Sequence, residues 1–420
     1  MTKRLMTKRL MTKRLMTNKQ YYKFCFYGFL KNLRFFDAFF ILFLVEKGLS
    51  YTEIGSLYAI RELIIHFAEI PTGIIADTYG RKNALVTSFL AYIISFILFA
   101  FGDVYWHFVL AFILYGIGDA FRSGTHKAMI MHYLQINDWQ NQKVNYYGAT
   151  RACSQRGSAI SALIAGIIVF FSGNYHTIFT ISIVPYIINM FLVLSYPKTL
   201  NNISVKKQKS IKKALIDLWK SLKNPFVFSI IHSAAVFTAF QKSVKDYIQP
   251  LMLSIAISIP ILADTDEQKK TGLLIGVMYF VIYLLNAYAS KKAGYISNKF
   301  KQPANITLII GLVIGMISGL TFQANIKILS LLFFIAIYLT ESIRKPILTG
   351  LITERVPNEI LASTISAQSL YRSLLTAGLS LGFGYAIDRF GLGYSLALIS
   401  GLLLMSYFVS KGIGRMTGDR

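Results

Sequence analysis

The chain has 420 residues, of which 54% are hydrophobic and 15% charged, and its formal net charge is +25. About twelve apolar runs approach the length of roughly 20 residues that a membrane span requires, which excludes an ordinary soluble domain. In a soluble protein this charge would indicate nucleic-acid binding, but the apolar runs make a membrane protein the better interpretation.

The segment before the first apolar run, residues 1–23, is basic and opens with three copies of Met-Thr-Lys-Arg-Leu. We interpret it as a cytoplasmic tail that touches the membrane surface. Met16 is an alternative start, and it would make the repeats irrelevant. The apolar run after Lys23 is too long for a cleavable signal peptide and continues into a multi-span pattern, so it predicts the first membrane helix.

The pattern along the chain predicts an all-α membrane protein with twelve transmembrane helices in two six-helix bundles, at residues 24–196 and 226–410. Between the bundles, the basic stretch 197–225 has apolar residues at helical spacing, which predicts an amphipathic linker helix on the inner membrane surface. Residues 411–420 form a cytoplasmic tail. The predicted helices cover residues 24–45, 54–76, 83–101, 107–134, 148–171, 177–196, 226–253, 271–290, 304–322, 328–352, 360–387 and 394–409.

Positive charge is distributed unevenly over the predicted loops. The loops on the same side as the two termini hold 27 Lys and Arg, and those on the other side hold five. Cytoplasmic loops carry this excess in membrane proteins, so we expect a multi-pass plasma-membrane protein with both termini in the cytoplasm. The basic excess also predicts contact with anionic lipid heads, and it argues against nucleic acid as a partner.

The sequence has none of the usual marks of an enzyme. It has no glycine-rich phosphate loop, no nucleophile elbow and no His/Cys cluster, and Cys25 and Cys153 are far apart. We therefore expect no enzymatic activity, no disulfide, and no metal or other cofactor.

A very tight basic turn joins predicted helices 2 and 3, with the pattern Gly73-x-x-x-Asp77-x-x-Gly80-Arg81-Lys82. The first glycine allows close helix approach, the second permits a sharp turn, and the two cations hold the loop in the cytoplasm. The pattern resembles the loop between helices two and three of the major facilitator superfamily of secondary transporters. The resemblance implies alternating access by two rocking halves, with these five residues as a cytoplasmic latch in the outward-open state.

The second half of the chain repeats features of the first at nearly one offset, as transporters of this kind do. The second copy of the turn has lost its aspartate, since Asn298 stands there. The matched pairs, 221 or 222 residues apart, are Gly73 with Gly294, Arg122 with Arg344, Arg151 with Arg372, and Gly157 with Gly378.

Charges inside the predicted helices follow the arrangement of that superfamily. Helices 1, 4, 7 and 10 carry both signs, whereas helices 3, 6, 9 and 12 carry none. In the superfamily the first set lines the central cavity and the second faces outward. An intramembrane charge costs ~2.5–3.5 kcal/mol, so it should face the bundle interior.

Carboxyl groups near bases inside the membrane are the candidates for proton coupling, because a change of pairing alters whether such a group holds a proton. Asp119 with Arg122 is the predicted pair of first choice, and a static ion pair that fixes helix orientation is the alternative. Lys242, Lys245 and Asp246 are interpreted as side chains that reach toward the membrane surface. The other predicted proton-coupling residues are Asp37, Glu62, Glu69 and Glu341.

Bases outnumber acids inside the predicted helices, so a cavity lined by them would be positive when empty. This favours an anionic or zwitterionic solute, with Arg344 and Arg372 as its expected anion partners. The predicted substrate-binding residues are Arg34, Arg122, His126, Arg344 and Arg372.

These features together predict a monomeric secondary transporter of a small organic solute, coupled to protons. The resemblance favours efflux, as in the drug–proton antiporters. Against this, Gly124 lies too close to Arg122, and Arg156 to Gly173 lacks the Gly-Pro ending of the antiporter helix 5. The alternatives are proton-coupled uptake of an anionic metabolite and a lipid flippase with the same fold.

Overall fold

The computed structural model describes residues 18–201, 216, 219, 225–258, 267–300, 302–355 and 358–418. The predicted N-terminal tail up to residue 17 and almost all of the predicted linker helix lie outside these ranges. The described residues are helical almost throughout and form twelve spans, which confirms the predicted fold class.

The spans are numbered here in chain order, and several consist of more than one helix. Spans 11 and 12 are one helical run, Asn358–Gly418, broken at Gly391. The others are Lys19–Lys31 with Phe35–Ala38 and Phe40–Glu46 (span 1), Tyr51–Tyr79 (span 2), Arg81–Phe101 (span 3), Tyr105–Arg122 with Thr125–Ile136 (span 4), Lys143–Ser172 (span 5), His176–Leu194 (span 6), Pro225–Val244 with Lys245–Tyr247 and Ile248–Ala256 (span 7), Glu267–Lys299 (span 8), Pro303–Gln323 (span 9) and Lys327–Arg355 (span 10).

Hydropathy alone identifies only part of these spans. Among the described residues, spans 3, 5, 6, 8 and 9 and the joined spans 11 and 12 are long and apolar enough to cross a membrane by composition. Of the remaining spans, 1, 4 and 7 are split, and spans 2 and 10 carry several charged residues.

The prediction of continuous helices for spans 1, 4 and 7 was wrong. Span 1 is interrupted by a 3-10 turn at Phe35–Ala38, and span 7 by one at Lys245–Tyr247. Span 4 is interrupted at Gly124, whose φ of 72° is left-handed. Such breaks are tolerated at membrane depth where other groups satisfy the freed backbone. Hydropathy missed them because each occupies only a few residues.

The first bundle has an aromatic core. Phe36 of span 1 stacks on Phe179 of span 6, with ring centroids 5.3 Å apart, and Phe40 stacks on Phe112 of span 4 at 5.2 Å. Buried serines add hydrogen bonds between spans 3 and 4, such as that from Ser88 Oγ to the Gly118 carbonyl at 2.7 Å. Spans 1, 3, 4 and 6 therefore form one tightly packed unit.

The second bundle relies more on small residues and hydroxyl groups. Ser330 of span 10 donates to the Ser318 carbonyl of span 9 at 2.8 Å. A Cβ on Gly319 would collide with the backbone of Gly393 in span 12. Small residues of this kind allow membrane helices to approach closely.

Among the described residues, contacts between the two bundles are concentrated toward one end. We call the end that carries Lys19, Arg81 and Lys198 the basic side, and the other end the opposite side. Toward the opposite side, Gly166 of span 5 touches the backbone of Gly272 and Gly276 in span 8. On the basic side, a Cβ at Gly73 of span 2 or Gly294 of span 8 would meet no described atom within 4 Å. The described parts of the two bundles are therefore not in contact at these two glycines on the basic side.

Candidate functional site

Asp119 and Arg122 form an ion pair inside the first bundle. Arg122 donates to Asp119 Oδ1 at 2.6 Å, and the buried hydroxyl of Tyr92 donates to the same oxygen at 2.5 Å. Arg122 Nε also donates to the Tyr92 oxygen at 3.0 Å. All three residues belong to spans 3 and 4, so a rocking motion between bundles leaves this cluster intact.

Arg34 and Asp37 form a second pair, at the break in span 1. The guanidinium lies 3.1 Å from the Asp37 carboxylate, and it donates to the Tyr115 hydroxyl of span 4 at 2.9 Å. The helix break is also bonded from the other bundle. Gln249 of span 7 accepts from the Ile41 N–H at 2.8 Å and donates to the Asp37 carbonyl at 2.9 Å.

Glu62 pairs across the two bundles. Its Oε1 lies 2.8 Å from Nζ of Lys242 in span 7 and accepts from Ser373 Oγ of span 11 at 3.2 Å. Glu62 is only 6% exposed. The interpretation of Lys242 as reaching toward the membrane surface is therefore wrong, because the buried carboxylate of the facing bundle attracts its ammonium group instead.

The neighbouring residues of span 7, Lys245 and Asp246, also form an ion pair. Lys245 Nζ lies 3.2 Å from Asp246 Oδ1, and Asp246 is buried. The other predicted acid of span 2, Glu69, is exposed and accepts from Ser123 Oγ of span 4 at 2.8 Å. Glu62 and Glu69 share a helix face, but they contact different bundles.

His126 is a packing residue in this conformation. Its ring stacks on Tyr27 of span 1 with centroids 3.6 Å apart, and Nε2 lies 3.4 Å from the Tyr196 hydroxyl. It is half-buried between spans 1 and 4 and the end of span 6.

Arg344 is fully buried in the second bundle. Its guanidinium donates to the carbonyl groups of Ala304 and Ser233 and to Thr307 Oγ1, the last at 3.3 Å. These partners belong to spans 7 and 9, so in this conformation Arg344 binds backbone and cannot contact a solute. Its predicted neighbour Glu341 is also buried, and it accepts from Thr238 Oγ1 at 3.3 Å.

Arg372 of span 11 differs from the other predicted bases. It is half-buried and donates to Ser369 Oγ on its own helix at 3.2 Å, and it forms no ion pair with any described carboxylate. Its Nε is buried without a hydrogen-bond partner. The next residue of span 11, Ser373, donates to Glu62 of span 2 in the other bundle. Arg372 therefore lies on span 11 beside a contact between the two bundles.

The loop between spans 2 and 3 is a very tight turn, as predicted. Span 2 ends at Tyr79 and span 3 begins at Arg81, with Gly80 alone between them at φ 98°. Asp77 lies 3.3 Å from Arg81, and the Lys82 N–H donates to Asn201 Oδ1 at 2.9 Å. These contacts are all local to the first bundle and the segment that follows it.

The predicted coupling and binding residues do not include three residues at the site. Arg61 lies over the ring of Tyr58 at 4.7 Å, and the other two, Gln249 and Asp388, bond across the bundles. Gln249 carries no charge, so a search for intramembrane charges overlooks it. Asp388 could have been found, because its surroundings repeat the spacing of the Asp77 turn.

The comparisons with known proteins agree with this architecture. The family model described as Major Facilitator Superfamily matches residues 25–381. An uncharacterized MFS-type transporter of Bacillus subtilis (strain 168), YxaM, is 34% identical over 68 residues, a stretch that spans 16% of this chain and 17% of that relative.

Solved structures show the same fold over nearly the whole chain. A mutant of the nucleoside transporter NupG gives a TM-score of 0.75 at 14% identity, covering 94% of this chain and 99% of that one. A bacterial homolog of the human lysosomal transporter Spinster, inward-facing and unoccupied, gives 0.68 at 14% identity, covering 95% and 98%. The twelve spans in two bundles and the match over most of the chain identify it as a membrane transporter that belongs to the Major Facilitator Superfamily.

Proposed function

We propose that the chain is a proton-coupled secondary transporter of a small organic solute that carries a carboxylate, phosphate or similar anionic group. The observation that supports this substrate class is the environment of Arg372. This residue is a half-buried cation within span 11 with no carboxylate partner among the described residues. An unpaired charge there is costly, and an anionic solute would offset that cost.

The charges around Arg372 support the same substrate class. Four acids of the site each have a cation of their own: Asp37, Glu62, Asp119 and Asp246. Among the described residues, Arg61, Arg344 and Arg372 form no ion pair, against Glu341 as a buried acid without one, so positive charge is in excess at the site. Arg34 and Arg122 retain free donor capacity for a solute, whereas Arg344 does not contribute in this conformation.

Glu62 is the proton-coupling residue that the geometry favours over Asp119. Its partners Lys242 and Ser373 belong to the other bundle, so separation of the bundles removes the counter-charge. A buried carboxylate without its cation favours uptake of a proton. Asp119 moves together with Arg122 and Tyr92, and its pairing stays constant during rocking.

The remaining parts of the proposal concern the orientation of the chain in the membrane and its domain bounds. We assign the basic side to the cytoplasm. The predicted loops on that side carry 27 Lys and Arg residues, whereas the predicted loops on the opposite side carry five. The conformation is then inward-open. The proposed domains are a tail at 1–23, bundles at 24–196 and 226–410, a linker at 197–225 and a tail at 411–420, in a monomer of the plasma membrane.

Proton movement from proteoliposomes tests the proposal. Purified protein is reconstituted, and a panel of anionic metabolites, zwitterions and cationic drugs is added in turn while internal pH is followed. We expect one anionic class to trigger proton flux, and the direction of the driving gradient to distinguish uptake from efflux. Flux with cationic drugs alone, or movement of labelled lipid alone, would contradict the anionic substrate and support drug efflux or a flippase.

The turn at Asp77 provides a separate prediction. We expect Asp77→Asn to reduce transport about tenfold without preventing membrane insertion, because the lost charge weakens a latch needed only in the outward-open state. Initial transport rates and the amount of inserted protein are measured together. Asp138→Asn, on the same side but outside the turn, is the matched control. Normal transport by the Asp77 variant would refute the latch.

A further inference from the structure

The spacing Gly-x-x-x-Asp-x-x-Gly occurs a second time, at Gly384, Asp388 and Gly391, where span 11 passes into span 12. Both copies close with a glycine of positive φ, 98° at Gly80 and 78° at Gly391. The first copy lies on the basic side and the second on the opposite side. The chain thus has a turn of the same pattern at each end of the transport path.

The second copy is bonded to the other bundle. Asp388 Oδ1 accepts from the Tyr51 N–H at 3.1 Å, and Oδ2 accepts from the Thr52 N–H at 2.7 Å and from Thr52 Oγ1 at 2.6 Å. Tyr51 and Thr52 are the first two residues of span 2. The carboxylate therefore satisfies two backbone donors that a helix start leaves free, and its charge matches the positive end of the helix dipole.

The first glycine of the second copy, Gly384, also lies against span 2. A Cβ on Gly384 would collide with the Tyr51 carbonyl, and one on Gly55 would collide with the Ser380 carbonyl. Spans 2 and 11 thus touch backbone to backbone on the opposite side. The first copy shows the reverse state, because Gly73 has no described neighbour within contact distance and Asp77 pairs only with Arg81.

We propose that Asp388 is a positioning residue that latches the two bundles on the opposite side, as the counterpart of the turn at Asp77. The latch is closed in the conformation described here, and its release from Tyr51 and Thr52 is a required step of alternating access. One copy of the pattern is engaged while the other is free, so the two turns stabilise opposite states of the same equilibrium.

Distances between spin labels test this without knowledge of the substrate. In a Cys25→Ser, Cys153→Ser background, Trp106→Cys with Ala324→Cys reports on the opposite side, and Tyr79→Cys with Tyr295→Cys reports on the basic side. For Asp388→Ala we expect the ratio of outward-open to inward-open molecules to rise about tenfold, from the loss of charge-assisted hydrogen bonds. The first pair should lengthen and the second should shorten.

Two further variants keep the test decisive. Thr52→Val removes one of the three hydrogen bonds and should shift the ratio in the same direction by a smaller factor, even where Asp388→Ala does not fold. Asp103→Ala removes an exposed carboxylate of the same side, whose partner Lys47 at 2.6 Å is in its own bundle, and it should change neither distance. Unchanged distances in folded Asp388→Ala, or equal broadening at both ends, would overturn the proposal.

Discussion

Replacement of Glu62 by glutamine is expected to abolish proton-driven accumulation of the solute while exchange of solute for solute continues. Glutamine keeps the size of the side chain and a hydrogen-bond acceptor for Ser373, but it cannot take up a proton when Lys242 moves away. Exchange requires rocking of the loaded protein only, so it does not depend on the proton.

The measurement compares two assays on the same proteoliposomes, accumulation driven by a pH gradient and counterflow at equal pH. We expect the first to fall more than about tenfold and the second to stay within about twofold of the unmodified protein. Asp103→Asn, an exposed carboxylate with a partner in its own bundle, is the matched control. Undiminished gradient-driven accumulation in Glu62→Gln, with a loss in Asp119→Asn, would move proton coupling to Asp119.

Replacement of Arg372 by glutamine should raise the KM for an anionic solute about ten- to a hundredfold. A hydrogen bond to a charged group contributes roughly 1.5–3 kcal/mol, which corresponds to a change of that size. Because Arg372 has no carboxylate partner among the described residues, its loss leaves no unpaired acid behind, and the variant should fold normally.

Initial rates over a range of solute concentrations check this prediction, with the solute that triggers proton flux. Arg372→Lys should recover part of the affinity, since it keeps the charge but loses the planar fork. Arg389→Gln, an exposed cation near the end of span 11, is the control and should leave the KM unchanged. An unaltered KM in Arg372→Gln would remove this residue from the binding site.

The fold could be predicted from the sequence because apolar length, loop charge and the internal repeat all depend on local composition. The pairing of the charged side chains could not be predicted in this way. Asp119 with Arg122 is three residues apart on one helix and was found, whereas Glu62 with Lys242 is separated by 180 residues. That pair comes together only because spans 2 and 7 both pack against span 11.

The internal repeat indicated which residue of the second half corresponds to Arg122, but it did not indicate which groups surround that residue. Arg344 occupies the place of Arg122 in the second half, yet Arg122 binds Asp119 and a tyrosine, whereas Arg344 binds backbone carbonyl groups. Equivalent positions share a helix face, but their neighbours depend on which side chains the adjacent spans supply.

The burial of Arg344 has a consequence for the biogenesis of the protein. Its carbonyl partners lie on spans 7 and 9, which precede span 10 in the chain and so leave the ribosome earlier. The spans that supply these acceptors are therefore already synthesised when span 10 emerges. A chain with the order of these segments permuted would present an unsatisfied guanidinium to lipid, and the cellular quality-control proteases would then compete with its assembly.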